Sequence, residues 1–116
     1  MAILAVNRKA AFDYEILETY EAGIQLFGLE VKSVKAGHAN LAGAFVVIRN
    51  SEAFLLNAAI PPYQIKNTPP GYDPQRSRKL LLHASELNEL VGAAARRGLT
   101  MVPLRLYTKN SKIKLE

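Results

Sequence analysis

Residues 44–57, Ala-Phe-Val-Val-Ile-Arg-Asn-Ser-Glu-Ala-Phe-Leu-Leu-Asn, decide the fold class of this chain. The run 44–49 is rich in β-branched and aromatic residues, Asn50-Ser51 is a turn dipeptide, and the run 52–57 is its partner. This pattern is typical of a β hairpin. The stretch therefore predicts a chain built mainly of short antiparallel strands.

The segments around this hairpin add further strands and two helices. Residues 12–21 alternate apolar and acidic side chains and predict a long first strand, followed by a turn at 22–23 and a second strand at 24–27. Residues 28–37 predict a short helix that ends at its glycine, with Val31 and Val34 facing inward. Residues 60–72 hold four prolines and predict a loop.

The C-terminal third predicts one helix and one strand pair. Residues 84–97 carry apolar side chains at helical spacing, with Gly98 as the stop signal. Residues 99–108 and 112–115 predict two strands joined by a turn at 109–111. We therefore expect a single domain over residues 1–116, mainly β: a small closed antiparallel barrel of the OB type with two or three accessory α-helices.

The charge of the chain is unevenly distributed. Residues 1–30 carry 2 basic and 5 acidic side chains, and residues 31–116 carry 13 basic and 5 acidic ones, so −3 and +8 give the formal charge of +5. A basic surface on one part of a domain indicates a polyanionic partner. Because the cations fall in strand and loop patterns rather than on an amphipathic helix, nucleic acid is favoured over a membrane surface.

Signatures of an enzyme are nearly absent from the sequence. There are no cysteines and two histidines, His38 and His83, neither with a carboxylate at ligand spacing, so we expect no metal and no cofactor. No phosphate-binding loop, nucleophile motif or dinucleotide fingerprint occurs. The absence of cysteine fits a reducing compartment, and no apolar run has the length of a membrane span or the pattern of a signal peptide. We expect a cytoplasmic, non-enzymatic protein.

The main basic cluster lies in the stretch Asp73-Pro74-Gln75-Arg76-Ser77-Arg78-Lys79-Leu80-Leu81-Leu82-His83. Three cations within four positions precede a rigid apolar run, which presents a fixed charge pattern suited to a folded polyanion. The alternative is a solvated loop that leads into a buried strand.

Other segments offer weaker candidates. Residues 7–9 form a basic arm, and Lys32 and Lys35, with residues 37–40 behind them, form a second basic patch; solvated surface is the alternative for both. Tyr63 and Tyr72 in the proline-rich loop are candidates for stacking on bases. Glu21 is either an acceptor for a base edge or an ordinary turn residue, and spacing alone favours the turn residue.

Several segments together resemble the SmpB (small protein B) family, whose members bind transfer-messenger RNA (tmRNA, or SsrA RNA). They occur in family order and are Asn7-Arg8-Lys9-Ala10, residues 13–24, Glu30-Val31-Lys32-Ser33, Ala36-Gly37, Ala39-Asn40-Leu41, Glu52-Ala53-Phe54-Leu55, Arg78-Lys79-Leu80-Leu81-Leu82-His83 and Gly98-Leu99-Thr100.

The resemblance implies a monomeric protein that binds the tRNA-like domain of tmRNA one to one and delivers it to stalled ribosomes in trans-translation, with no role for DNA or a membrane. The positions that the family uses against the RNA elbow align with Glu21, Leu81, His83 and Lys114. The expected RNA contacts are therefore Asn7, Arg8, Lys9, Glu21, Lys32, Lys35, His38, Asn40, Arg76, Arg78, Lys79, Leu81, His83, Lys109 and Lys114.

Three departures from the family pattern qualify this expectation. Phe12 stands where the family usually has histidine or a base, and His38 stands where it has lysine or arginine, so affinity should be trimmed rather than abolished. The family also continues after residues 112–116 with a Gly-Leu-Ala-Arg-Gly-Lys-Lys motif and a long basic tail. We therefore expect this chain to bind tmRNA without supporting the tagging of stalled peptides.

Two other functions fit the same composition. One is a generic OB-fold module for single-stranded RNA, and the other is a ribosome-associated protein that contacts only ribosomal RNA or protein. The first would show no preference for the tRNA-like domain over an unfolded RNA of equal length. The second would show no affinity for isolated tmRNA.

Overall fold

The computed structural model of the protein describes residues 2–16, 18–95, 99–110 and 112–116. Within these residues the chain forms seven strands, three α-helices and one 3-10 turn. In chain order they are β1 (Ile3–Val6), α1 (Arg8–Asp13), β2 (Ala22–Ile24), α2 (Gly28–Lys35), β3 (Phe45–Arg49), β4 (Glu52–Leu56), the 3-10 turn (Ile65–Asn67), β5 (Arg78–Leu81), α3 (Ala84–Ala94), β6 (Arg105–Lys109) and β7 (Lys112–Leu115).

The strands form one antiparallel sheet in the order β1-β6-β7-β2-β5-β4-β3. The chain is thus mainly β with helices attached, as the sequence predicts. In the described residues, β1 and β3 remain the two edges of the sheet, with no strand pairing between them. The closed barrel is therefore not confirmed.

The hairpin predicted from residues 44–57 is confirmed. Phe45 pairs with Leu56 and Arg49 with Glu52, and Asn50 and Ser51 both take positive φ angles, of 50° and 59°. Two successive residues in that region form the type of turn whose twist matches the flanking strands.

The N-terminal segment differs from the sequence-based expectation. Asn7 caps α1 by accepting from the Ala10 backbone N–H at 3.3 Å, so residues 8–13 are helical. The long strand predicted for residues 12–21 is wrong, and the described residues between α1 and β2 belong to no strand. The alternating side chains do not cover a core: Phe12 is 91% exposed, and Tyr14 and Ile16 are also exposed.

Several element boundaries also differ. Ala22 and Gly23, predicted as a turn, begin β2 instead. The last strand pair begins at Arg105 rather than at Leu99, since the buried Pro103 just before it has no N–H to donate to a ladder. The helices at 28–35 and 84–94 agree with expectation in position, with Gly37 at φ 82° just after α2. Val34 is fully buried as predicted, whereas Val31 is only partly buried. The stop predicted at Gly98 lies outside the described residues.

The core lies between the curved sheet, α2 and the chain that follows α2. Its most buried members are Val34, Leu41, Leu55, Ile60 and Leu106. Each fully buried aliphatic side chain contributes about 1.5–3 kcal/mol by removal from water. This packing holds α2 at a fixed position beside β2 and β5, where the candidate site is found. No helix in the described part of the chain has the length and apolarity needed to cross a membrane.

A candidate RNA-binding groove

A groove of about 570 Å³ runs along the central strands, beside α2. Its walls come from four parts of the chain: the entry to and body of β2, the outer face of α2, the end of β5 with the residues after it, and β7. It is lined by Glu21, Gly23, Ile24, Leu26, Val31, Lys35, Leu81, Leu82, His83, Glu86, Lys112, Ile113 and Lys114.

The register of the sheet explains how distant residues meet in this groove. Gly23 pairs with Leu81 of β5 on one side and with Lys114 of β7 on the other. Residues directly opposite one another in antiparallel strands project from the same face of the sheet. Leu81 and Lys114 therefore stand on either side of a glycine.

Gly23 has no side chain, so the backbone is open between Leu81 and Lys114. A Cβ atom added at Gly23 would lie 3.2 Å from the Leu81 Cβ, which is tighter than ordinary contact. A glycine in a strand interior weakens the strand but allows another molecule to approach the backbone closely. The groove thus has a backbone floor between an apolar wall and a basic wall.

Glu21 is held in a fixed position at one end of the groove. The hydroxyl of the buried Tyr107 donates to Glu21 Oε2 at 2.5 Å, and Lys109 Nζ lies 3.4 Å from the same carboxylate. The hydrogen bond from Tyr107, helped by Lys109 and the field of Lys114, holds the pKa of Glu21 below its ordinary value despite partial burial. Burial, and then the same contact, raise the pKa of Tyr107. Glu21 is therefore an oriented, ionised carboxylate within the groove.

Leu81 and His83 are alternate residues that project outward from the core. Leu80 is buried and Leu82 packs against the core, whereas Leu81 is 48% exposed and His83 is also exposed. His83 precedes α3, and its backbone N–H donates to Glu86 Oε1 at 3.3 Å. That bond fixes the backbone from which the imidazole projects.

Three lysines complete the groove: Lys35, Lys112 and Lys114. Within the described ranges, none of the three forms an ion pair. Free ammonium groups beside an apolar wall are available to neutralise phosphates. The four positions identified by the family resemblance, Glu21, Leu81, His83 and Lys114, thus all line one groove.

Arg78 requires a correction, because its side chain is completely buried. Its Nε and Nη2 donate to Glu30 Oε2 at 2.9 and 2.6 Å, and its Nη1 donates to the Ala58 carbonyl at 2.9 Å. Glu30 is buried as well, and it also pairs with Arg76. Arg78 cannot reach RNA in this fold; it joins α2, β5 and the proline-rich loop.

The state of Glu30 follows from this network. Burial alone raises the pKa of Glu30, but Arg76, the Phe27 backbone N–H and Arg78 outweigh it, so the pKa lies below its ordinary value. Arg76 is also placed over the Phe27 ring, 3.9 Å from its centroid. The Arg76 side chain is 24% exposed and committed to these contacts.

Asn7 is a second correction. Its side chain is buried, and its amide donates to the carbonyls of Leu41 and Pro103 at 3.3 and 3.0 Å. It ties α1 to the core rather than facing a ligand.

The other predicted contacts lie outside the groove's lining. Arg8 and Lys9 are exposed on α1, and Asn40 bridges to Ala59. Lys79 pairs with Glu52 at 2.6 Å, on the neighbouring strand. Two further predicted residues, Lys32 and His38, lie at the C-terminal end of α2 and after it; Lys109 lies beside the groove on Glu21.

Sequence reasoning missed Gly23, Tyr107 and Lys112 as parts of the site. Lys112 lies on the same face of β7 as Lys114, so strand alternation in the sequence could have predicted it. Tyr107 contacts Glu21 across 86 positions of sequence, and local spacing carries no signal of this contact. Gly23 was interpreted as part of a turn because its partners on both sides come from later in the chain.

Comparisons with known proteins match the chain along nearly all of its length. The family model described as SmpB protein matches residues 4–116. An SsrA-binding protein from Thermosynechococcus vestitus is 52% identical over 113 residues, which cover 97% of this chain and 74% of the relative. One from Mesoplasma florum is 53% identical over 114 residues, covering 98% of this chain and 76% of the relative.

A solved structure has the same fold. A chain in the structure "tmRNA-SmpB: a journey to the center of the bacterial ribosome" superposes with a TM-score of 0.78 at 46% sequence identity, covering 99% of this chain and 80% of that one. Matches of this extent and identity, in sequence and in structure, agree with the segments that first suggested the family. This chain belongs to the SmpB family.

Proposed function

We propose that this protein binds the tRNA-like domain of tmRNA and delivers it to stalled ribosomes in trans-translation. The observation that carries the proposal is the single groove that gathers Glu21, Leu81, His83 and Lys114 from segments far apart in sequence. Membership of the SmpB family and the likeness to a chain from a tmRNA-SmpB structure support it.

The groove suits a folded RNA better than a generic single strand. Proteins that hold single strands without sequence preference stack successive bases on aromatic side chains. The described lining of this groove consists mainly of aliphatic side chains and lysines, with the carboxylates of Glu21 and Glu86 and the imidazole of His83. It includes no phenylalanine, tyrosine or tryptophan, so it offers one imidazole rather than a row of aromatic rings for successive bases. Such a surface reads backbone and shape, which is how structured RNA is recognised.

Each wall has a distinct role in this proposal. Lys35, Lys112 and Lys114 contact phosphates, and Leu81 packs on a ribose or base face that the fold of the RNA leaves open. Glu21 accepts a hydrogen bond from a base amino group or a ribose hydroxyl, since a charged acceptor is roughly twice as strong as a neutral one. Its carboxylate also repels misplaced phosphates, which fixes the register of the RNA in the groove.

The same proposal covers the finer features of the fold. We interpret residues 1–116 as one RNA-binding domain of the OB type, acting in the cytoplasm as a monomer and without catalysis. Support for near-closure of the barrel comes from a single bond: the Val46 N–H of β3 donates to the Met101 carbonyl, just before β6, at 2.9 Å. This contact draws the β3 edge toward the other end of the sheet.

An anisotropy titration against three RNAs tests the function: the tRNA-like domain of tmRNA, a tRNA, and an unstructured strand of equal length. We expect the tRNA-like domain to bind at least about tenfold more tightly than the single strand, a difference of about 1.4 kcal/mol. Equal affinities would favour a generic module for single-stranded RNA. No binding to isolated tmRNA would favour a protein that contacts only ribosomal RNA or protein.

Matched variants locate the interaction in the groove. Lys114→Ala should reduce the steepness of log K against log salt by about 0.7 to 0.9, the contribution of one phosphate contact. Arg49→Ala, which removes an exposed cation at the tip of the hairpin, should leave the slope unchanged. Equal reductions by both variants would show that only net charge matters and would refute a localised site.

A further inference from the structure

A second cavity, shallow, open to solvent and of about 500 Å³, lies at the C-terminal end of α2. It is lined by Lys32, Lys35 and Ala36 of α2 and its cap, and by Tyr63 of the proline-rich loop. Lys35 also lines the first groove, so the two depressions meet at this residue.

The polar part of this cavity is purely cationic. Lys32 and Lys35 are one helical turn apart and exposed, and neither forms an ion pair within the described ranges. Like charges at this spacing repel each other slightly in a free helix. A phosphate between the two ammonium groups removes that repulsion and accepts hydrogen bonds from both.

The aromatic part of the cavity is held by its surroundings. Tyr63 follows Pro61-Pro62, which restrict the backbone, and its ring is 45% exposed. The His38 ring stacks near it, with centroids 6.5 Å apart and planes 26° apart. An aromatic side chain that is already restrained loses little conformational entropy when a planar group such as a base stacks on it.

The proline-rich loop is also tied down at its far end. The Tyr72 hydroxyl donates to the Ile60 carbonyl at 2.8 Å and lies 3.0 Å from Glu30 Oε2. These bonds close the loop on the buried ion pair of α2 and β5. The two ends of the loop that carries Tyr63 are thus fixed relative to α2, which carries the two lysines.

We propose that this cavity binds one unpaired nucleotide of the same RNA, with its base stacked on Tyr63 and its phosphate between Lys32 and Lys35. The inference rests on the proposed RNA-binding function and extends it from a groove to a path over α2. The stacked base adds a site that can tell a looped-out nucleotide from a paired one, outside the groove, whose described lining has no phenylalanine, tyrosine or tryptophan. The competing explanation is that the two lysines serve only the C-terminal end of the helix dipole.

The test compares Tyr63→Leu with Tyr63→Phe in binding to the tRNA-like RNA. Tyr63→Leu should weaken binding by about 5- to 100-fold, the cost of one lost base stack, while Tyr63→Phe should stay within about twofold because it keeps the ring. Ile65→Ala, in the same loop but outside the cavity lining, is the control and should have no effect. Wild-type affinity for Tyr63→Leu, with its fold verified by circular dichroism, would overturn the proposal.

A second comparison separates phosphate binding from the helix dipole. Lys32→Ala should reduce the salt slope by about 0.7 to 0.9, and Lys66→Ala, an exposed cation of the same loop, should not. A purely structural role predicts the reverse: Lys32→Ala would lower the urea midpoint and leave the salt slope unchanged.

A third arm uses a short oligouridine strand in place of the tRNA-like RNA. Tyr63-dependent binding of this strand would support the cavity even if preference for the tRNA-like domain, and with it the proposed function, failed. Loss of oligouridine binding in Glu21→Gln but not in Tyr63→Leu would place the unpaired nucleotide in the first groove and refute the cavity.

Discussion

Replacement of Arg78 by methionine should destabilise the fold rather than remove an RNA contact. Methionine fills much of the same space but supplies no charge and no donor. Its introduction leaves Glu30 buried with Arg76 as its remaining cation, and it leaves the carbonyls of Ala58 and Pro74 without the donors that now lie 2.9 and 3.0 Å away. Three segments of the chain lose their common partner.

The size of this effect follows from the burial of both partners. Removing one member of a buried ion pair costs about 3–5 kcal/mol, mainly because the other charge is left uncompensated. A domain of 116 residues has a total stability of about 6 to 17 kcal/mol. Because Arg76 still faces Glu30, we expect a loss near the lower limit, about 3 kcal/mol.

Urea unfolding followed by circular dichroism measures this loss. With an m value of about 2 kcal/mol per M, the midpoint should fall by about 1.5 M. The neighbouring substitution Lys79→Met is the matched control, since Lys79 pairs with Glu52 where both side chains are about 40% exposed. An exposed pair of this kind contributes about 0–1 kcal/mol.

RNA affinity supplies the discriminating readout. Where both variants are folded, Arg78→Met should keep its affinity within a few-fold and keep the wild-type salt slope. A variant as stable as the Lys79 control, or one that stays stable but binds RNA with a lower salt slope, would refute the assignment of Arg78 to the interior.

Three further predictions concern Glu30 and the groove. The folded pKa of Glu30 lies below its ordinary value of 4.5, so its stabilising effect is complete above pH 4.5 and is lost as the pH falls through the folded pKa. The urea midpoint should therefore decrease when the pH is lowered below about 4.5. The same series in Glu21→Gln is the control, because it removes the other carboxylate whose lowered pKa acts in the same direction. Tyr107→Phe should weaken binding of the tRNA-like RNA several-fold by releasing the Glu21 carboxylate, and Glu21→Gln should have a similar effect. Unchanged anisotropy titrations for Tyr107→Phe would show that the contact does not orient Glu21. Gly23→Val should reduce the free energy of RNA binding by more than the free energy of unfolding, because the new side chain fills the floor of the groove and presses on Leu81. An unchanged anisotropy titration would exclude this floor from the interface.

The basic cluster illustrates what the sequence could and could not predict. In β5 the residues alternate, so Arg78 shares its parity with the inward Leu80 and Leu82, while Lys79 shares its parity with the outward Leu81. That alternation is visible in the sequence and, applied to the basic cluster, would have excluded Arg78 from the expected RNA contacts. Its partner Glu30 lies 48 positions earlier, and the sequence around Glu30 does not indicate that this carboxylate is buried.

The strand predicted at residues 12–21 failed for a related reason. Alternation predicts a strand only if one of its two faces is covered by the rest of the chain, and Phe12, Tyr14 and Ile16 all remain exposed. The hairpin at 44–57 succeeded because its information is local: the turn residues and the β-forming runs lie within fourteen positions. Contacts such as Tyr107 with Glu21 depend on sheet order, which the sequence pattern did not contain.

The row formed by Leu81, Gly23 and Lys114 has a consequence for the synthesis of the protein. Its three strands are contiguous in the sheet but far apart in the chain, and Lys114 belongs to β7, which follows the other two strands in the chain. A nascent chain that has emerged only through α3 has the floor and the apolar wall but not Lys112 or Lys114. Full affinity for RNA should therefore appear late during translation, when β7 docks against β2. A ribosome-bound fragment that ends before residue 112 would lack two of the three groove lysines and would compete less for the RNA that finished copies of the protein require.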